Sequence, residues 1–308
     1  MGMAHVLVAG YLSIDSLQAV GTVPVELPGG AALYAALGAR HAGAQASIAA
    51  AVGEDYPQPW LQALAALGID VSCVQRRPGP TRRTVLRYRG SQGSGQRDSL
   101  HYRDAIWWQR TQALAPTLPD PLRQIDVLVA CPMPIASLAA VLQRAALARV
   151  PVVADTSEAF VTEDPQRLLE LVGEMTAFAP SREETRLLWP LREDDAAASA
   201  LAGFGVNLLH KRGAEGALAL TAHGAASLRI PAPPTTVVDP TGAGDATVGA
   251  LAAYIGAGTE FLHAAAAALL TGALATSATG PAALGLAENF NPQSNKFPVQ
   301  GLHGVSRN

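Results

Sequence analysis

The sequence predicts an α/β protein, a doubly wound sheet with helices on both faces and a small β-rich cover. Three observations predict it. From residue 125 onward, short apolar runs alternate with helical stretches, the pattern of a parallel sheet covered on both sides. Between residues 71 and 102 the pattern changes to β-formers separated by arginines and glycines, which reads as exposed hairpins. Hydrophobic residues make up 49% of the 308 while aromatics make up 5%, so Ala, Val and Leu must fill a sizeable interior.

The elements follow in order. His5-Val-Leu-Val-Ala-Gly10 is an apolar run closed by glycine, a buried first strand, and Ala46 to Gly53 is another. Between them Ala31 to Arg40 has helical composition, and Trp60 to Leu67 is a helix ended by Gly68. Val71 to Val74, Thr84 to Arg89 and Ser99 to Tyr102 are strand-like and belong to the cover. Strands are then expected at 125–130, 150–154, 175–178, 206–210, 217–220 and 225–230. Helices are expected at 135–148, 165–172, 183–189, 196–202, 243–255 and 260–276. The expected organisation is one domain over residues 1–288, with the cover drawn from about 12–27 and 72–104, and a polar C-terminal tail over 289–308.

Composition narrows the function classes. Net charge is −3, without the basic stripe of a nucleic-acid surface. Cys73 and Cys131 are far apart and show neither metal-ligand spacing nor a disulfide framework, which fits a reduced cytoplasmic setting. No basic, then apolar, leader opens the sequence, and the Ala-rich run from Leu262 to Ala278 reads as a buried helix and not a membrane span.

The chemistry is concentrated in Val238-Asp-Pro-Thr-Gly-Ala-Gly-Asp-Ala246. Gly242 and Gly244 bracket a minimal side chain, so backbone can approach a ligand closely. With a helix following, the amides of Gly242, Ala243 and Gly244 sit at a helix N-terminus, where anions are stabilised. Asp245 beside such an anion hole makes sense if it must meet a hydroxyl that attacks a phosphate. Taken alone, the string reads more readily as a glycine-rich turn with a capping aspartate, and its context reverses that reading.

The wider context resembles the ribokinase, or PfkB, family of sugar kinases. Asp239-Pro-Thr-Gly-Ala-Gly-Asp245 is similar to that family's C-terminal signature. Its other elements follow in family order: Gly10 to Asp15, then Gly29-Gly30 entering the Tyr34 helix, then Val52 to Asp55, Ser181-Arg-Glu-Glu184 and Lys211-Arg-Gly-Ala-Glu-Gly216. The resemblance implies a ribokinase-like fold with a β-sheet lid, Asp245 as general base, and acceptor contacts from Asp15, Gly29, Gly30 and Tyr34. It implies ATP near Lys211, Gly213, Gly216 and Ser181, with adenine near residues 263–280. It also implies Mg2+ held through water by Glu184, and a monovalent cation, K+, near Asp239 and Thr241. Family members often carry Asn where Tyr34 stands and some carry Lys at Ala31, so the resemblance points away from ribokinase itself. The Gly29-Gly-Ala-Ala-Leu-Tyr34 helix start and the Tyr88…Arg97-Asp98 segment resemble inositol- and fructokinase-type members. Ser181 stands where the family has Asn, which implies water-mediated phosphate or magnesium contacts. The implied partners are ATP and a small sugar or polyol, with a homodimer through the lid as a further expectation. A nucleoside or myo-inositol kinase and a catalytically silent sugar-binding protein are the rival readings. A dinucleotide oxidoreductase lacks its glycine fingerprint after the first strand.

Overall fold

The computed structural model describes residues 3–18, 24–89, 96–99, 105–122 and 124–286; the expected tail lies outside them. The strands are β1 (His5–Ala9), β2 (Ser13–Gln18), β3 (Val25–Gly29), β4 (Gln45–Val52), β5 (Ile69–Asp70), β6 (Val74–Arg76) and β7 (Arg83–Arg89). They continue as β8 (Gln96–Ser99), β9 (Val127–Ala130), β10 (Val152–Ala154), β11 (Ala177–Phe178), β12 (Asn207–Lys211), β13 (Ala217–Leu220) and β14 (Ser227–Ile230). The helices are α1 (Ala31–His41), α2 (Gln58–Ala66), α3 (Ala105–Ala113), α4 (Ile135–Ala148) and α5 (Glu158–Glu163). They continue as α6 (Pro165–Val172), α7 (Arg182–Leu188), α8 (Asp194–Ala202), α9 (Ala243–Gly256) and α10 (Phe261–Ala275).

The main sheet runs β14-β13-β12-β11-β10-β9-β1-β4-β5, with β6 also on β4. Strand β1 explains the near-continuous apolar runs. Val6 and Val8 enter a core shared with α1, α2, α9 and α10, while Leu7 and Ala9 enter a second core with α4, α6 and α8. A strand buried on both faces needs no polar alternation.

A second sheet, β3-β2-β7-β8, stands apart from the main one. Its two halves come from the segments before α1 and after α2, joined by parallel pairing of β2 with β7.

Several expectations are corrected. Val71 to Val74 does not join the small sheet. Instead β6 pairs in parallel with β4, placing part of the 72–104 segment on the main sheet. Strands β13 and β14, expected only as two further short strands, run antiparallel to their neighbours, because the connections are too short for a crossover helix. Helices α3 and α5 carry no clear apolar period and are not expected from sequence.

Two glycines set the central packing. A Cβ on Gly38 of α1 would overlap the Ala246 carbonyl, and one on Gly249 of α9 would overlap the Ala35 carbonyl. Helices α1 and α9 therefore meet backbone to backbone, which fixes α9 against the sheet. Helix α10, the Ala-rich run, packs on α9. No helix among the described residues is long and apolar enough to cross a membrane.

Candidate active site

A cavity of about 700 Å³ lies along the C-terminal ends of β1, β9, β10, β11 and β12. Ligands of open α/β sheets bind outside such strand ends. Residues from the small sheet, among them Asp15 and Thr84, line it as well.

One end of the cavity is built from the start of α9. Gly242 caps that helix with a φ of 75°, and a Cβ there would overlap the Tyr34 ring. Both facts require glycine. Asp239, only 2% exposed, holds the preceding loop. Its Oδ1 accepts the Thr241 amide at 2.9 Å and its Oδ2 the Gly280 amide at 2.8 Å. The Ala243 amide reaches the Pro240 carbonyl only at 3.4 Å, a weak bond that a better acceptor would outcompete. Gly242, Ala243 and Gly244 line the cavity, and Asp245, half-buried in the first turn of α9, lines it beside them.

Facing this turn is an ion cluster. Lys211, at the end of β12, donates to Asp155 Oδ2 at 2.6 Å. A Cβ placed on Gly244 would lie 3.2 Å from Lys211 Nζ, so the ammonium sits against the helix turn. Ser181 caps α7 reciprocally with Glu184. The Ser181 amide donates to Glu184 Oε2 at 2.6 Å, and the Glu184 amide donates to Ser181 Oγ at 3.2 Å. Burial, then the Asp155 charge, push the Glu184 carboxyl up to about 8, against the pull of Lys211. Burial likewise raises Asp155, with Lys211 opposing. Burial works against the Lys211 ammonium, but Asp155, Glu184 and Asp245 outweigh it and raise its pKa. The common cause is one cation among three carboxylates.

Asp15, also lining the cavity, is 7% exposed, and its Oδ1 accepts the Ser13 hydroxyl at 2.7 Å. Gly30 lines the cavity. Gly29 instead makes room for the Asp15 carboxylate, which a Cβ there would overlap. Tyr34, 3% exposed, lines the cavity and packs on Gly242. At the opposite end Gly213 and Gly216 form the β12–β13 turn, closed by the Arg212 amide on the Gly216 carbonyl at 2.8 Å. Leu269, Gly272, Ala273 and Thr276 of the α10 region close that end.

The profile of the pfkB family carbohydrate kinases matches residues 11–287. The chain belongs to this family. This pfkB-family kinase is 31% identical over 259 residues to the cytidine kinase of Thermococcus kodakarensis, covering 82% of this chain and 89% of that one. It superposes on the nucleoside kinase of Burkholderia thailandensis, solved with inosine, with a TM-score of 0.74 at 22% identity over 90% of this chain and 91% of that one. A protein described as a ribokinase II from E. coli, solved with ATP and Mg2+, gives 0.73 at 21% identity over 91% and 94%. At these identities the two solved structures establish the ribokinase-like fold.

In this kinase the cavity gathers Asp15, Gly30, Tyr34, Ser181, Glu184, Lys211, Gly213, Gly216, Thr241 and residues 242–245 from across the chain. Gly29 and Asp239 stand behind it as supports. Sequence reasoning missed Asp155. Its one signal was an aspartate directly after the apolar run Val152-Val-Ala154, at a strand's C-terminal end. It also missed Arg82, Trp107 and Phe160, which line the cavity beyond Asp15.

Proposed function

We propose that this kinase transfers the γ-phosphate of ATP to a hydroxyl of a small sugar, or of the sugar of a nucleoside, with Asp245 as general base. The observation that carries the reading is the shared cavity. Asp245 and the 242–244 amides line the same cavity as a carboxylate, Asp15, and a cation, Lys211.

Asp15 accepts hydrogen bonds from acceptor hydroxyls and orients the one to be phosphorylated. Asp245 takes that hydroxyl's proton as its oxygen bonds to the γ-phosphorus. The bond to the β-phosphate oxygen breaks, and ADP leaves with that electron pair. Asp245 then returns the proton to solvent. The amides of Gly242, Ala243 and Gly244 stabilise charge on the transferring group, and Lys211 supplies a fixed positive charge beside it. The adenine lies between the Gly213–Gly216 turn and α10.

Mg2+ takes few protein ligands and keeps waters and phosphate oxygens. Glu184 fits it: a half-buried carboxylate crowded by Asp155 is relieved by an added cation. The ion would neutralise phosphate charge. Thr241 Oγ1 is buried with no hydrogen-bond partner among the described residues and adjoins the Asp239 loop, which fits a monovalent cation such as K+. The small sheet serves as the lid, and its outer strands β3 and β8 are the edges a second copy would cover.

The test is ADP release and 31P detection of a phosphomonoester with ATP, Mg2+ and a panel of pentoses, hexoses, inositols and nucleosides. One acceptor class should give one phosphomonoester per ADP. ADP formation with inorganic phosphate alone, or none with any acceptor, contradicts the reading.

A further inference from the structure

The turn between β12 and β13 has the cavity on one side and an ion network on the other. Gly213, Ala214 and Gly216 line the cavity. The carboxylate of Glu215, between them, is taken by Arg182 in the first turn of α7. Arg182 Nη1 donates to Glu215 Oε1 at 2.7 Å and Nη2 to Oε2 at 2.5 Å, a bidentate pair.

The turn is fixed unevenly without that pair. At one end the Gly216 carbonyl accepts the Arg212 amide at 2.8 Å, and a Cβ on Gly216 would overlap the Ile230 carbonyl. At the other end Gly213 has a φ of 57° and nothing within 4 Å of where a Cβ would sit. Among the described residues, the hydrogen bonds that Gly213, Ala214 and Glu215 make beyond the turn are those of the Glu215 side chain.

Arg182 is itself anchored. An exposed ion pair contributes little, because two long side chains must be ordered and water screens their charges; a bidentate arginine within a network is the exception. The Arg182 side chain is 16% exposed, and its Nε lies 3.1 Å from Asp194 Oδ2. Asp194 also takes Arg186 Nε at 3.0 Å. The adjacent Asp195 takes Arg212 Nη2 at 2.5 Å, together with Arg229 of β14. Both aspartates stand in the first turn of α8, where the helix dipole favours carboxylates. Before α7, the Pro180 carbonyl accepts the Lys211 amide at 2.9 Å. Arg182 therefore joins the glycine turn to the helix start that carries Ser181 and Glu184, beside the strand end that carries Lys211.

We propose that Arg182 is a positioning residue for the phosphate donor. Through Glu215 it sets the Gly213–Gly216 turn against the Ser181–Glu184 start of α7, so the donor meets a turn already in place. This rests on the kinase reading above, in which ATP lies along that turn. Arg182 does not touch the nucleotide in this account. Its loss makes binding order the turn, and that cost falls on donor affinity. Acceptor binding, at Asp15, is spared.

The experiment measures ATP affinity with Mg2+ by calorimetry, and KM for ATP and for the best acceptor. It compares wild type, Arg182→Met, Arg182→Lys, Glu215→Ala and the double variant Arg182→Met, Glu215→Ala. Arg182→Met and Glu215→Ala should each weaken ATP about ten-fold, with acceptor KM within about two-fold of wild type, as the ordering of one short loop implies. The double variant should be no worse than the weaker-binding single variant, because both remove one link. Arg182→Lys keeps the charge without the fork and should recover part of the loss. The Glu215 side chain is 68% exposed, so Glu215→Ala folds and decides the matter even if Arg182→Met does not fold. Unchanged ATP affinity in Glu215→Ala overturns the inference. So do additive losses in the double variant, or equal losses for ATP and acceptor. Wild type that binds ATP but phosphorylates no acceptor strikes the kinase reading alone, and the binding data still decide the clamp. Wild type that binds no ATP removes both.

Discussion

In the proposed reading, the working groups at the phosphate end of the cavity are main-chain amides and an ion cluster anchored at strand ends. At the acceptor end they are side chains from α3, α5 and the small sheet. The amides of the first set are nearly independent of side-chain identity: Gly242, Ala243 and Gly244 contribute them, and Asp239 only fastens the loop. The second set depends wholly on which rings and charges happen to be there. A scaffold divided this way can keep one reaction while exchanging acceptors, because changing Trp107 or Arg82 leaves the geometry of α9 untouched. In that reading the chemistry lives on the packing of α1 against α9, and the specificity on elements added around it.

The sharpest way to break that division is at Lys211. Lys211→Met should lower kcat/KM for ATP by about 10²–10³-fold, as loss of a charge-stabilising donor does, and leave acceptor preference unchanged. It also strands Asp155, 4% exposed, without its cation, at a cost of about 3 kcal/mol. The double variant Lys211→Met, Asp155→Leu should recover most of that stability in urea unfolding and none of the activity. Recovered activity would make the pair structural only.

The opposite end is probed by Asp15→Ala. The acceptor KM should rise about ten- to a hundred-fold while the KM for ATP stays within about two-fold, as loss of one or two charge-assisted hydrogen bonds implies. A defect confined to ATP would dissolve the distinction between the two ends.

The smallest expected effect is a pH dependence of stability. Glu184 is raised from 4.5 to about 8 by burial and then by Asp155, so the folded chain binds its proton more tightly than the unfolded chain does. That contribution is complete below about pH 4.5 and is lost as pH rises through 8. The ligand-free protein should therefore lose thermal stability across this window more steeply than Glu184→Gln. Parallel curves would show that the cluster does not hold the proton on Glu184.

The same division explains what the sequence disclosed. The loop from Asp239 to Asp245 is legible because its function is local: glycines, amides and a helix start lie within seven residues. The strand–helix alternation is legible because burial on both faces leaves continuous apolar runs, as in β1. Asp155 is not legible, because an aspartate after Val152-Val-Ala154 looks like any strand end and its partner is 56 residues away. Trp107 and Phe160 meet only through the fold, from two helices without a clear apolar period. Strand β6 joined the wrong sheet in the sequence reading because three residues carry no signal of which edge they will pair with. Glu184 looked like part of a solvated face among Arg182, Glu183 and Arg186, and only the capping bond with Ser181 turns it toward the cavity.

The central claim is that Asp245 takes the proton of the attacking hydroxyl, and Asp245→Asn tests it most directly. The substitution keeps size and hydrogen-bonding shape but removes the basic oxygen. With the best acceptor, kcat should fall by about 10²–10⁴-fold, while calorimetric affinity for ATP with Mg2+ and the unfolding midpoint stay near wild type. A near-normal kcat in the correctly folded variant would contradict the account and move the base elsewhere in the cavity.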